Sequence, residues 1–188
     1  MTLLSGDQRR RLLRVARAAL VARVREARPE PTVGQSEMPP SGAFVTLRIG
    51  QTLRGCVGQV EGTGSLVDTI SHVAAAASED PRFLPVGIDE LASVVVEVSV
   101  LGPLEVCSGP DDVKVGRHGL VVEEGARRGL LLPQVAVEQG WDHHVFIANT
   151  CKKAGLRPDA WKGRATLFRF EAEVFSEDDE GSPDSPRL

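Results

Sequence analysis

Residues 43–60 read AFVTLRIGQTLRGCVGQV, two strand-like runs on either side of Gly50, and the way they pair decides how the sheet is faced. Strand side chains alternate with a period of two, so a slip of one residue exchanges the buried and exposed faces. A two-residue Gly50-Gln51 loop would set Cys56 opposite Val45 and Arg54 opposite Leu47, mixing polar and apolar groups on both faces. A three-residue loop of Gly50, Gln51 and Thr52 instead gathers Val45, Leu47, Ile49, Leu53 and Val57 on one face. It leaves Thr46, Arg48, Arg54 and Cys56 on the other, and this register is the one expected. A thiol beside permanent cations becomes a better nucleophile. Gly55 and Gly58 would leave the backbone open to a close-approaching ligand.

Outward from the hairpin, helices and strands are mixed without a βαβ repeat. The spacing of Leu12, Leu13, Ala16, Leu20 and Val24 predicts a helix over 7–27. PEPTVGQSEMPPSG after it reads as a loop. A second helix opens at Ser65, with Asp68 as its capping-box partner, and ends in SEDPRFLP. SVVVEVSVL, residues 93–101, is the most strand-like stretch of the chain and belongs at or near the centre of the sheet. HGLVVEEGARRGLLLP reads as a hairpin turning near Glu124 and Gly125, Pro133 opens a short helix, and Asp142 caps a last one that stops at Gly155. ATLFRFEAEVF alternates, with Phe168, Phe170, Ala172 and Val174 on one face and Arg169, Glu171 and Glu173 on the other. This order predicts an α+β fold with a mainly antiparallel sheet.

With 188 residues, 41% hydrophobic and 26% charged, the chain has the length and composition of one globular domain. Residues 1–176 are expected to form it, and the acidic segment 177–188 to be a disordered tail. Three cysteines without a metal-type spacing argue against a disulfide framework and for a reduced, cytoplasmic setting. The start MTLLSGDQRRR lacks a signal-peptide core and no apolar run is long enough to span a membrane. The net charge of −4 hides eight arginines in the first 28 residues, which fit a solvated helix face better than a nucleic-acid surface. No Walker loop, GxGxxG turn, HExxH helix or GxSxG elbow occurs, and neither a metal nor a cofactor is expected. His143 and His144 stand two helical turns from Cys151, too far to share an ion easily, and His72 is expected on an exposed helix side.

The alternation in residues 93–101 sets Glu97 and Ser99 apart from the valines, on the polar face with Arg54 and Cys56. The candidate catalytic residues are therefore Cys56, with Glu97 or His118 moving protons. Arg48, Arg54, Gly55, Gly58 and Ser99 are the candidate substrate-binding residues. A structural reading fits the same residues: a cross-strand pair of Arg54 and Glu97 beside a small packed cysteine, with His118 exposed in a loop.

LRGCVG, SEDPRFLPV, VEVSVLGPLE, VGRHGLVVEEGARRGLLLPQVAVEQGWD, CKKAGL and FRFEAEVF occur in this order. Together they resemble the AMMECR-one domain family over about residues 7–177. The resemblance implies an α+β fold with a smaller subdomain, and makes Leu53–Gly58 the family's signature hexapeptide. It also implies an association with a Memo-like protein and a radical SAM enzyme, as in protein A of the AmmeMemoRadiSam system. Phe168 stands where relatives carry tyrosine.

Two functions are therefore expected. One is a cysteine-dependent enzyme acting on an anionic substrate. The other is a non-catalytic binding or adaptor module for those partners, and an RNA-binding domain ranks behind both.

Overall fold

The computed structural model describes residues 4–27, 38, 41–62 and 64–179. The chain divides into two compact units, Leu101–Ala172 and Thr2–Val100 with Glu173–Leu188. Helices and antiparallel strands alternate irregularly in both, so the fold is α+β.

The larger unit is built from α1 (Gly6–Val24), β1 (Ala43–Ile49), β2 (Thr52–Gln59), α2 (Leu66–Ala77), β3 (Val95–Leu101) and the end of β7 (Thr166–Ser176). Both helices begin at serine capping boxes, Ser5 with Gln8 and Ser65 with Asp68, each satisfying amides that a helix start leaves open. β1 lies between β2 and β3, pairing Val45 with Val57 and Val98, and Leu47 with Gly55 and Val96. These apolar side chains form one core with Leu12, Ala16 and Leu20 of α1 and with Ile70, Val73 and Ala77 of α2. On its other side β3 meets the residue that follows β7, as Glu177 donates its N–H to the Val96 carbonyl at 3.1 Å and accepts the Val96 N–H at 2.8 Å. Glu177, the first residue of the expected tail, is thus tied to β3 and also to Arg17; residues 180–188 lie outside the described residues.

The smaller unit holds β4 (Glu105–Val106), β5 (His118–Glu124), β6 (Arg127–Leu131), α3 (Pro133–Glu138), α4 (His143–Lys153) and the first part of β7. β5 pairs with β6 on one side and with β7 on the other, and β4 adds to β7. Leu120, Val122, Leu167, Phe146, Ile147 and Cys151 make its core.

Two expectations change at β7. The alternation puts Phe170 inward, but toward the end Val174 is exposed while Glu173 and Phe175 are buried. Glu173 is tolerated there because it is paired: its carboxylate accepts Arg9 Nε at 2.8 Å and the Leu4 N–H at 3.0 Å. A buried carboxylate with both charge and hydrogen-bond partners avoids the cost of desolvation without compensation.

Candidate functional site

The β1–β2 hairpin resolves the register with a device the sequence reading lacked. Its loop is the two-residue Gly50-Gln51, with Ile49 opposite Thr52 and Arg48 opposite Leu53. Between Leu47 and Arg48 the register shifts, because Arg54 is an extra residue on β2. This bulge restores beyond it the pairing that a three-residue loop would have given, with Thr46 opposite Cys56. The expected loop is corrected, while Thr46 and Cys56 share a face as expected.

Thr46 occupies the middle of a lateral row, with Cys56 beside it on β2 and Glu97 beside it on β3. It is buried, and its hydroxyl donates to Cys56 Sγ at 3.4 Å. Cys56 is half-buried. Arg48 is also half-buried, two residues along β1 from Thr46.

Arg54 does not join this row. Its guanidinium forms a two-point pair with Glu90, Nε to Oε1 and Nη2 to Oε2 both at 2.7 Å. It also donates to the carbonyls of Leu84 at 3.0 Å and Pro85 at 3.3 Å. The partner of Arg54 is therefore Glu90 and not Glu97. The pairing pulls the Glu90 carboxyl down to about 2, chiefly through the hydrogen bond from Arg54 and then the one from the Gly87 amide. A planar fork held at four points fixes the chain of residues 84–90 against the hairpin.

The groups that do flank Cys56 come from SEDPR, which the sequence reading took as a helix end and as part of the family resemblance without assigning its residues to the site. Asp80 Oδ2 accepts the Cys56 N–H at 2.9 Å, and Arg82 Nη2 donates to the Cys56 carbonyl at 3.2 Å. Arg82 also pairs with Asp80, Nη2 to Oδ2 at 2.6 Å and Nε to Oδ1 at 3.0 Å. Asp80 is 3% exposed. The Arg82 guanidinium, with further hydrogen bonds from the Cys56 and Arg82 amides, holds its carboxyl well below the usual range against the opposing effect of burial. The signal was legible as an Asx turn, since Asp80 Oδ1 accepts the Arg82 N–H at 3.1 Å around a proline.

The two glycines of the signature do not clear a path for a ligand. A Cβ on Gly55 would lie 2.1 Å from the carbonyl oxygen of Ala77, and one on Gly58 would lie 2.2 Å from the Phe44 ring. The chain itself fills both spaces, so Gly55 admits the end of α2 and Gly58 admits Phe44. Ser99 is also withdrawn: it stands opposite Phe44, 1% exposed, and its Oγ has no hydrogen-bond partner among the described residues.

His118 belongs to the smaller unit, at the start of β5. It is buried rather than exposed in a loop, and its Nδ1 accepts the Lys114 N–H at 3.1 Å. Burial and the charges of Arg169 and Arg117 push its pKa down, partly offset by the Asp112 carbonyl and Glu171. The other thiols are sealed: Cys107 and Cys151 are buried, and burial pushes both up. Among the described residues no group of three or more His, Cys, Asp or Glu side chains is placed to hold a metal ion. Nor is any described helix long and apolar enough to cross a membrane.

Residues 13–175 match the family model AMMECR1. A protein of Thermofilum pendens is 45% identical over 93% of this chain and 92% of its own length, and Protein PF1979 of Pyrococcus furiosus is 45% identical over 89% and 87%. Among solved structures, the crystal structure of the uncharacterized protein PH0010 from Pyrococcus horikoshii has a TM-score of 0.82 at 40% identity, covering 92% of each chain. The chain thus shares its fold with that structure and belongs to the AMMECR1 family.

Proposed function

We propose that this chain is a cytoplasmic, cysteine-dependent enzyme acting on an anionic substrate, in a modification system with a Memo-like protein and a radical SAM enzyme. The observation that carries the reading is the row of Cys56, Thr46 and Glu97 across three strands, with the Thr46 hydroxyl donating to the sulfur. A hydroxyl donor stabilises a sulfur anion, and the row ends on the far side of Thr46 in a carboxylate, Glu97 of β3, the acid–base group of this reading. Arg82, whose side chain is mostly exposed while one nitrogen holds the Cys56 carbonyl, supplies the positive charge that Arg54 does not. Arg48 adds a second cation on the same face. Three free thiols support a reduced compartment, and family membership supports the two partners.

Alkylation kinetics of the native protein test this. Cys56 is expected to react alone of the three cysteines, faster at neutral pH than a free model thiol, and with a preference for iodoacetate over iodoacetamide that the model thiol lacks. A rate no greater than that of the model thiol overturns the nucleophile.

The adaptor reading has its own support in residues 84–90. Leu84 is 83% exposed and Ile88 62% exposed on the segment that Arg54 and Glu90 hold in place, an apolar pair presented by a rigid loop. Full cellular function in Cys56→Ser, with loss in Leu84→Asp, would favour that reading over the enzyme.

A further inference from the structure

The smaller unit contains a polar cavity of about 310 Å³, lined by Pro103, Glu105, Lys114, Arg117, His118, Arg169, Phe170 and Glu171. Its volume is at the lower end of the range for small-ligand sites. Three cations face two carboxylates in it, and the pairing is uneven. Arg169 donates to Glu105 at 3.1 and 3.2 Å and to the Asp112 carbonyl at 2.8 Å. Arg117 pairs with Glu171 at 2.7 Å. Lys114 is exposed and has no ion-pair partner among the described residues, so one positive charge is left over.

The buried wall of the cavity adds a directed donor. His118 is 6% exposed, and its Nδ1 is fixed as an acceptor by the Lys114 amide. In the neutral ring the proton is then on Nε2, and the ring forms part of the cavity lining. The tight turn that brings Lys114 over the ring is closed by the His118 N–H to the Lys114 carbonyl at 2.9 Å and passes through Gly116 at φ +82°. The Lys114 ammonium, left without a carboxylate partner among the described residues, lines the same cavity as this ring.

We propose that this cavity binds the carboxylate or phosphate group of a small metabolite, held by the Lys114 ammonium, the His118 Nε2–H and the outer N–H groups of Arg117. Two carboxylates in the lining, each already paired with an arginine, disfavour ligands of higher negative charge, which points to a singly or doubly charged group. Phe170, packed against Gly119 so closely that a Cβ there would lie 2.2 Å from the ring, gives the cavity an apolar floor for the remainder of the ligand.

The test is a titration of the full chain with inorganic phosphate and, separately, with succinate, at ionic strength held constant with sodium chloride. The ring ¹⁵N signals of His118 are followed, assigned by their loss in His118→Gln. Saturable movement with phosphate alone assigns a phosphate ligand, with succinate alone a carboxylate, and with both the shared anion chemistry. Lys114→Gln, an exposed substitution that leaves the fold intact, is expected to weaken binding roughly tenfold or more, the loss of one charge-assisted hydrogen bond. The proposal is overturned if neither probe moves the His118 signals saturably, or if Lys114→Gln binds as tightly as the unaltered chain.

Discussion

Asp80 holds Cys56 by its backbone: a carboxylate that is nearly sealed from solvent accepts the Cys56 N–H at 2.9 Å. β2 is the outer strand of its sheet, and an outer strand presents unpaired amides and carbonyls. At Cys56 both groups are taken, the N–H by Asp80 and the carbonyl by Arg82. Asp80→Asn removes the charge from this clamp and is expected to cost about 1–3 kcal/mol at neutral pH. Because the carboxyl is held below its ordinary value of 3.8, the stability it contributes is complete above that value and is lost as pH falls further. Urea denaturation of both chains should therefore show a gap at neutral pH that closes in strong acid.

Arg54 is a positioning residue for the loop of residues 84–90. Arg54→Lys keeps the charge but loses the planar fork, and is expected to destabilise by about 1–3 kcal/mol with alkylation of Cys56 unchanged. Arg82→Gln, which removes the charge, should slow iodoacetate more than iodoacetamide, and it should also destabilise because the buried Asp80 carboxylate loses its partner. Glu90, pulled down from 4.5 to about 2, contributes stability that is complete above 4.5 and fades between 4.5 and 2. Acid titrations of the Arg54→Lys and unaltered chains should converge across that window.

Gly55→Ala tests what the first signature glycine is for. Its Cβ would meet the Ala77 carbonyl oxygen at 2.1 Å, a backbone atom at the end of α2 that cannot swing aside. The expected outcome is a loss of about 3 kcal/mol or failure to accumulate as folded protein, read from the thermal midpoint. If Gly55→Ala folds normally and loses only activity, clearance for a ligand is the better account.

Much of the fold was legible because local chemistry marks it. Ser65 with Asp68, Asp142 before α4 and the valines of β3 each announce their element whatever surrounds them. The candidate site was legible only in part. Alternation places Thr46, Cys56 and Glu97 on one face, but a bulge is invisible to a period-two argument, so Arg54 was assigned to a face it leaves. Glu90 lies 36 residues along the chain from Arg54 and Asp80 lies 24 from Cys56, and such pairings depend on how α2 and the following loop pack back. Gly55 and Gly58 carry the same lesson, since glycine marks close approach but not what approaches.

His118 gives a pH signature in the smaller unit. Burial and the neighbouring Arg169 and Arg117 lower its pKa from 6.5, while Glu171 and the Asp112 carbonyl oppose them and Lys114 sits beside the ring. A depressed histidine contributes stability that is complete above 6.5 and is lost as pH falls through its folded value. His118→Gln carries no such proton. The unaltered chain should lose stability relative to it below pH 6.5, with a limiting slope of about 1.4 kcal/mol per pH unit. Denaturation curves over the mildly acidic range measure this directly.

The row across β1, β2 and β3 makes Thr46 the most informative substitution. Thr46→Val preserves the branched shape but removes the hydroxyl that reaches Cys56 Sγ at 3.4 Å. Thr46→Ser preserves the hydroxyl and removes a methyl. If the hydroxyl supports the sulfur as an anion, Thr46→Val should slow alkylation of Cys56 roughly threefold to tenfold, the weight of one modest hydrogen bond. Thr46→Ser should stay near the unaltered rate despite a small loss of packing. Glu97→Gln adds the proton's side of the argument: it should change how the rate depends on pH. Equal rates in Thr46→Val and the unaltered chain would show that the threonine only packs, and the reading of Cys56 would then rest on Arg82 alone.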